Sequence, residues 1–212
     1  TLVDLLLKQA SLDLHAKDGN GMTALMYAAG AGSLRNIQTL LGVDSDAPRS
    51  VDKHLFDALM HACERGHDHV ARYFIDTVGV DCAANRDFKN RTSLMIACAG
   101  SADATVDVLL PIFAARGLVN STDRYGDSAL MHAARADASD IVGQLLAVNA
   151  AVNTTGMRGF TAVMLAARVG NVDMLTALMD AGGMTETANE DGMTALMVAA
   201  SEGHDVVVDA LM

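Results

Sequence analysis

The chain contains six copies of one short block, and this self-similarity constrains its fold more than any other feature. The blocks follow the pattern T-A-L-M-x-A-A, are spaced 33 to 36 residues apart and begin at Thr23, Asp57, Thr92, Ser128, Thr161 and Thr194. Each block is followed by an apolar stretch that ends in two large side chains, as in Leu40-Leu41. A period of this length is typical of a solenoid, in which each helix pair buries its apolar faces against the next pair.

Each position of the block has a physical reason. The Thr, Ser or Asp that opens it can accept hydrogen bonds from free backbone N–H groups, so it is predicted to cap a helix. The small pair that follows, such as Ala28-Ala29, keeps one helix face thin and lets a neighbouring helix approach. In four repeats glycine stands where the first helix must stop and turn, a site that often requires a positive φ. Ser101 and Asp137 replace it in two repeats, where we expect corners that are more strained or differently shaped.

The block, its period and its turns resemble the ankyrin repeat, whose period is 33 residues and whose pattern is T-P-L-H-x-A. Turns of the form D-x-x-G, at 18–21 and 123–126, are similar to the β-turn fingers of that family. The family's Pro is Ala or Ser in all six copies, and its His is always Met. In ankyrins this His ties successive turns, so the resemblance implies softer packing by the Met column here. The T-A-L-M variant is also similar to ankyrin arrays of flagellate protists, which occur alone or joined to a NEK-like kinase.

The resemblance implies an all-α ankyrin-repeat solenoid of helix-turn-helix units with β-turn fingers, with six repeats and a trailing N-terminal helix. We expect one domain over residues 1–212, with a partial repeat at 1–17. The units numbered here as the first to the sixth repeat are 18–51, 52–86, 87–122, 123–155, 156–188 and a truncated 189–212. The longer connections at 42–51 and 111–120 are expected in surface loops. Because the chain begins without Met and ends within an apolar pattern, we expect a piece of a longer polypeptide.

Composition opposes several classes of function. The chain is 51% apolar but only 4% aromatic and lacks Trp, so its core must be built from Ala, Leu, Val and Met. A formal net charge of −11 opposes binding to a nucleic-acid backbone. No stretch reaches the roughly 18 apolar residues of a membrane helix, so no membrane association is expected. The three Cys cannot all pair and have no C-x-x-C spacing, which indicates reduced thiols and a cytoplasmic protein.

Potential metal ligands and catalytic groups are better explained by the repeat. The densest group of Cys and His, at His61, Cys63, His67 and His69, contains the donors that zinc uses. However, Cys63 belongs to the small-residue pair, and His67 follows the turn glycine, where the family commonly has His. His61 and His132 share a column (the equivalent positions of the six repeats) with apolar residues, which predicts a packing position. We therefore predict no metal site; the chain also lacks G-x-S-x-G, P-loop and H-E-x-x-H motifs, which predicts no enzyme and no cofactor.

The resemblance implies that the chain binds another protein. In ankyrin proteins, partners most often touch the finger tips and the end of the first helix, which correspond to 30 positions here. These positions hold eight basic and five acidic residues, a local charge of +3, and four aromatic side chains that we expect to be exposed. The residues predicted to bind the partner are Phe56, Phe88, Lys89, Arg91, Arg124, Tyr125, Arg135, Arg158, Phe160 and Arg168.

Such a surface predicts a partner with an acidic, partly apolar segment. Arginine and aromatic side chains are enriched at binding hot spots, and the local charge opposes the net charge of the chain. Three alternatives stay open. The basic residues can serve only to solubilise the surface while the rings pack on neighbouring fingers. The chain can instead be the regulatory or targeting arm of a larger enzyme such as a protein kinase, or exposed repeat ends can drive self-assembly.

Overall fold

The computed structural model describes residues 13–44, 47–79, 81 and 85–212, and within them the chain forms twelve α-helices and no β-strand. The helices come in pairs, one pair to each repeat. The pairs are α1 (Ala24–Gly30) and α2 (Leu34–Leu41), α3 (Ala58–Glu64) and α4 (Asp68–Tyr73), α5 (Ser93–Ala99) and α6 (Asp103–Ala115), α7 (Ala129–Arg135) and α8 (Ser139–Ala147), α9 (Ala162–Val169) and α10 (Val172–Asp180), and α11 (Ala195–Glu202) and α12 (Asp205–Leu211). The predicted all-α solenoid is confirmed. The trailing helix predicted at the N-terminus falls on residues outside this description.

The helices stack in two layers. The first helix of each repeat packs against the first helix of the next, from α1 to α11, and the second helices contact one another in turn from α4 to α12. Five members of the Met column lie in the core, where Met26, Met60, Met95, Met131 and Met164 are at most 1% exposed, whereas Met197 in the last repeat is 53% exposed. The small-residue pairs beside them let the first helices approach closely. No helix in the described part of the chain has the length and apolar character that a bilayer span requires.

The capping residues predicted for the six first helices are confirmed. In each repeat the side-chain oxygen of the opening residue accepts a hydrogen bond from the backbone N–H three residues later, at 2.7–3.5 Å. The Met26 sulfur also accepts from the Thr23 N–H at 3.5 Å. Methionine therefore completes a reciprocal cap of the kind that Glu or Gln usually forms.

The corners between the paired helices explain where glycine is required. Ser101 and Asp137 adopt φ of 51° and 58°, so the strain predicted at these two corners is confirmed. A Cβ on Gly32 would lie 2.8 Å from the imidazole of His67 in the next repeat. For Ser101, the equivalent residue of the next repeat is Ala138, which has no ring. A corner therefore accepts a side chain where the next repeat presents no ring.

The connection at 111–120 differs from the prediction. Its extra residues do not form a loop, because α6 continues for 13 residues through Pro111 to Ala115. Pro111 is exposed and removes one helical hydrogen bond, but Phe113 beyond it is fully buried. Burial of that ring stabilises the additional turn. In the other long connection, the described residues form a short 3-10 turn at Ala47–Arg49.

Candidate functional site

The fingers are tight turns that precede the first helices, and a short polar side chain builds each of five fingers. The Oδ1 atoms of Asp52, Asp87 and Asp123 each accept hydrogen bonds from the backbone N–H groups two and four residues later, at 2.7–3.0 Å. Asp18 and Asn189 make the same pair of bonds. Side chains of this type favour turns because they substitute for a backbone acceptor. The finger tips consequently have defined positions beside the helix layer.

The second carboxylate oxygen ties a finger to the first helix of its own repeat. His61 Nε2 lies 3.1 Å from Asp52 Oδ2, and His132 Nε2 lies 3.1 Å from Asp123 Oδ2. A carboxylate only accepts, so the imidazole donates. The predicted packing position is confirmed, since His132 is 9% exposed and His61 packs against the ring of Phe56, but the prediction missed the hydrogen bond to the finger Asp. The sequence held a usable signal, because a donor-bearing ring follows the finger Asp by nine residues in three repeats, whereas Leu165 stands nine residues after Gly156.

The hydrogen bond between His132 and Asp123 belongs to a buried network in the fourth repeat. His132 is 9% exposed, and its burial lowers the pKa of the imidazole, although Asp123 acts in the opposite direction. Arg135 Nη2 donates to Asp127 Oδ2 at 2.7 Å, and the Met157 N–H donates to Asp127 Oδ1 at 3.0 Å. Asp127 thus joins the end of the first helix in the fourth repeat to the finger of the fifth.

Asp123, Asp127 and His132 are also the group in the described residues whose geometry comes nearest to a metal site. One potential ligand atom from each lies within 4.8 Å of the others. All three already have partners, since His132 contacts Asp123 and Arg135 contacts Asp127. A cation would have to displace both interactions. The arrangement is therefore a hydrogen-bond network in which protein donors occupy the carboxylate oxygens.

The four residues considered as zinc ligands make other contacts. The Nε2 atoms of His67 and His69 each lie 3.0 Å from a backbone carbonyl oxygen of the preceding repeat. Cys63 is fully buried in the core, and His61 contacts its finger Asp. His67 and His69 consequently connect one repeat to the one before it, which is the kind of tie that the Met column lacks.

Eight of the ten predicted binding residues are brought together in four cation–ring pairs. Each predicted aromatic ring carries a predicted cation at 5.3–5.7 Å from its centroid. These pairs are Arg91 over Phe56, Lys89 over Phe88, Arg124 over Tyr125 and Arg168 over Phe160. The two remaining residues, Arg135 and Arg158, bind carboxylates instead.

The expected exposure of the aromatic rings holds for two of the four. Phe88 and Tyr125 are both 46% exposed. Phe56 is only 5% exposed and packs against the ring of His61, so the prediction that it is exposed is wrong. Phe160 is half-buried against the core. The reason is position, because the residue directly before the capping residue has already returned to the helix layer, whereas the finger tip faces solvent.

Fewer of the predicted cations carry uncompensated charge than expected. Three of the six predicted cations are neutralised within the array by carboxylates at 2.7–2.8 Å. These ion pairs are Arg91–Asp87, Arg135–Asp127 and Arg158–Asp191. The local sum of +3 omitted Asp87, which lies outside the five columns counted. Among the described residues, the other three cations of the predicted set, Lys89, Arg124 and Arg168, have no ion pair, and neither have Lys53 and Arg65. Two of these five, Lys89 and Arg124, lie on the adjacent tips of the third and fourth fingers.

Two further exposed side chains were missed from the sequence. Leu55 is 46% exposed and Met157 is 45% exposed, each on a finger next to those of Phe88 and Tyr125. Leu55 adopts φ of 61° in a column that is otherwise Gly or Asn90. A bulky residue is rare in this conformation, and such strain is concentrated at functional positions. A leucine in a glycine column was the signal that could have identified it.

These side chains lie on four consecutive fingers, from the second to the fifth. We define the finger strip as Leu55, Phe88, Lys89, Arg124, Tyr125 and Met157. The third finger is joined to the second by a hydrogen bond from the Phe88 N–H to the His54 carbonyl at 3.0 Å. The fourth finger is joined to the third by one from the Arg124 N–H to the Lys89 carbonyl at 2.9 Å. The strip therefore presents apolar side chains at both ends and two cation–ring pairs between them.

Comparison with protein families agrees with this architecture. A family model described as ankyrin repeats (3 copies) matches residues 1–86, 45–116, 79–156 and 130–212. A search of curated proteins finds no match to the chain. Ankyrin repeats are generally protein–protein interaction modules, and the family is typically non-catalytic. Since the matches together extend from the first residue to the last, and the caps, fingers and stacked helix pairs recur as the repeat requires, the chain belongs to the ankyrin-repeat family.

Proposed function

We propose that the chain binds another protein through the finger strip and the adjacent ends of the first helices. The observation that carries this proposal is the exposure of Leu55, Phe88, Tyr125 and Met157, each 45–46%, on four consecutive fingers. Single exposed apolar residues are ordinary, but several of them on adjacent turns, beside polar groups, are typical of an interaction site. The strained conformation of Leu55 supports the same surface, because an unfavourable backbone angle here keeps an apolar side chain in solvent.

The partner we propose carries an acidic, partly apolar segment. Lys89 and Arg124 lie on adjacent finger tips and have no ion pair among the described residues. Each lies over an exposed ring, and cation–ring pairs of this kind provide flat contact area beside a charge. The net charge of −11 for the whole chain repels a long polyanion, so a short acidic segment fits better than a nucleic acid.

A variant with four substitutions in the finger strip tests the proposal: Phe88→Ala, Lys89→Glu, Arg124→Glu and Tyr125→Ala. All four side chains lie at the finger tips, so the helix pairs should keep their fold. Arg91 is left unchanged because it bonds Asp87 and stacks on the buried Phe56, and its replacement would disturb the third finger itself.

The measurement is quantitative affinity capture from the source cell with wild type, the finger-strip variant and a control. The control carries Arg72→Glu and Val206→Ala, which are exposed on the second helices α4 and α12. We expect wild type and control to capture the same protein and the finger-strip variant to lose it. Equal capture of that protein by all three, with equal dependence on salt, would refute binding through the fingers.

A further inference from the structure

Three pockets lie in a row in the corner between the fingers and the first helices. The first is lined by Met22, Tyr27 and Arg65, and the second by residues of the second and third fingers and of α3. The third is lined by residues of the third, fourth and fifth fingers and of α7. His61 lines both the first and the second pocket, and Arg91 lines both the second and the third. Adjacent pockets therefore share a lining residue, and we call this row of three pockets the groove.

The size of each pocket favours a single side chain over a small molecule as the occupant. Their volumes are about 240, 220 and 210 Å³ in order along the chain. Small-molecule and cofactor sites generally measure about 300–1,000 Å³. Three smaller pockets in series fit three successive side chains of one polypeptide better than one small molecule.

The middle pocket is lined by rings. Phe56 forms a buried wall, Phe88 forms an exposed wall, and the rings of His54 and His61 lie 5.3 Å from Phe88 and Phe56. Aromatic pairs at this separation gain favourable edge and face contacts. A large apolar or aromatic side chain inserted here would find the same kind of contact on several sides.

Uncompensated positive charges flank the middle pocket on both sides. Arg65 lines the first pocket, is exposed and has no ion pair among the described residues. Lys89 lines the third pocket, and Arg124 follows on the next finger tip. Asp123 and Asp127 also line the third pocket, but their Oδ2 atoms already bond His132 and Arg135. The exposed carboxylate of Glu64 lies at the middle pocket, so its negative charge separates the two cationic flanks.

We propose that this groove binds an extended, unfolded segment in which one large apolar or aromatic side chain stands between two carboxylates. The apolar side chain occupies the middle pocket, one carboxylate pairs with Arg65, and the other pairs with Lys89 and Arg124. The inference rests on the proposed function and specifies the form of the partner, which is a linear segment rather than the surface of a folded domain.

The test selects binders from a library of displayed random peptides of about twelve residues, which reach about 40 Å when extended. We expect the selected peptides to share an aromatic, Leu or Met side chain with Asp or Glu on each side of it. Enrichment of basic peptides, of apolar peptides without acids, or of no common pattern would overturn the inference.

Charge changes then assign each carboxylate to its flank, using synthetic copies of the selected peptides as probes. Arg65→Glu and the pair Lys89→Glu with Arg124→Glu should each weaken binding about tenfold or more, as expected for central contacts of an interface. Glu64→Gln should tighten binding, because it removes a repelling carboxylate between the two flanks. Arg72→Glu on α4 makes the same charge change away from the groove and should leave the affinity unchanged. Equal affinities for wild type and all the groove variants would refute the assignment.

Failure of this inference can be distinguished from failure of the proposed function. If the finger-strip variant loses its protein partner in cell capture while the library yields no acidic pattern, the chain binds a folded partner through its fingers and the linear segment is wrong. If the finger-strip variant captures the same protein as wild type and the library also yields no acidic pattern, the proposed function is refuted as well. Unfolding midpoints measured by circular dichroism for every variant establish that a lost interaction does not reflect a lost fold.

Discussion

The fourth and fifth repeats bury equivalent cores but secure their fingers in different ways. In the fourth repeat, Asp123 bonds its own turn through Oδ1 and bonds His132 through Oδ2. The fifth repeat has Gly156 and Leu165 at these two positions. There, Asp127 of the fourth repeat accepts from the Met157 N–H at 3.0 Å. A finger can thus be held by its own repeat or by the preceding one.

The two arrangements exclude each other for a steric reason. A Cβ on Gly156 would lie 2.0 Å from Asp127 Oδ1 and 2.5 Å from the Met131 Cε. Gly156 is therefore the residue that makes room for its neighbour's carboxylate. The fifth finger also has a different turn, because Arg158 adopts φ of 58° beside Gly159 at 74°. The difference shows that a loss from the consensus in one repeat can be coupled to a gain in the repeat before it.

The largest expected effect tests whether the two cores are in fact equivalent. Leu145 and Leu178 hold the same place in the second helices of the two repeats, and both are 0% exposed. We expect Leu145→Ala and Leu178→Ala each to lower the free energy of unfolding by about 2–5 kcal/mol through lost burial and a residual cavity. Urea unfolding followed by circular dichroism measures both values. A loss of stability in only one of the two variants would show that the two cores are not equivalent.

The second prediction concerns the steric exclusion at the finger. Gly156→Asp restores the consensus finger residue, yet we expect it to destabilise the fold by about 3 kcal/mol, because the new side chain overlaps Asp127 and Met131. The free energy of unfolding in urea is again the measurement. A neutral or stabilising Gly156→Asp would show that the two arrangements are compatible.

A double-mutant cycle with Asp127→Ala sharpens this result. Removing the Asp127 carboxylate frees the space that the new aspartate needs, so Gly156→Asp should cost less in the Asp127→Ala background than in wild type. Additive effects would mean that Met131, not the neighbour's carboxylate, excludes a side chain at position 156.

The third prediction replaces His132, which bonds the finger of the fourth repeat, with leucine, the residue that the fifth repeat has at this position. His132→Leu leaves Asp123 Oδ2 without its donor in a buried site, and we expect a loss of about 1–2 kcal/mol. The matched change Leu165→Val in the fifth repeat removes no polar partner and serves as the control for altered packing. A cost of His132→Leu no greater than that of the control would mean that the imidazole acts only by filling space.

The smallest expected effect is the pH dependence of the stability that His132 contributes. Burial lowers the pKa of His132 in the folded protein, while the unfolded histidine keeps an ordinary pKa of about 6.5. The unfolded state therefore binds the proton more readily, and stability falls as the pH drops from 7 through about 6.5, by at most about 1.4 kcal/mol per unit for one proton. Asp123 and Asp127 oppose this effect and Arg135 reinforces it.

The expected observation is that wild type and His132→Leu approach one another in stability as the pH falls. Urea unfolding at pH 7 and at about pH 5.5 provides the comparison, since the histidine of the unfolded chain gains its proton in this interval. A gap that widens toward acid would show that the ion pair with Asp123 outweighs the cost of burying the imidazolium.

The architecture was determined by the sequence alone, because its causes are local and recur in every repeat. Capping side chains such as Thr92 act within one turn, and small pairs such as Ala133-Ala134 shape one helix face. A period of 33 to 36 residues then leaves stacking as the way to bury those faces. The family and the strained corners at Ser101 and Asp137 followed from the same pattern.

The tertiary structure decided which residues of the predicted surface are available. The four aromatic residues could be named from their columns, but not that Phe56 is buried while Leu55 beside it is exposed. Pairing of Arg158 with Asp191 joins two repeats across 33 positions of sequence. Exposure and charge compensation depend on distances between side chains of different turns, whereas a periodic pattern records only the order of residues within one turn. The core could therefore be predicted from one repeat, but the binding surface required the whole stack.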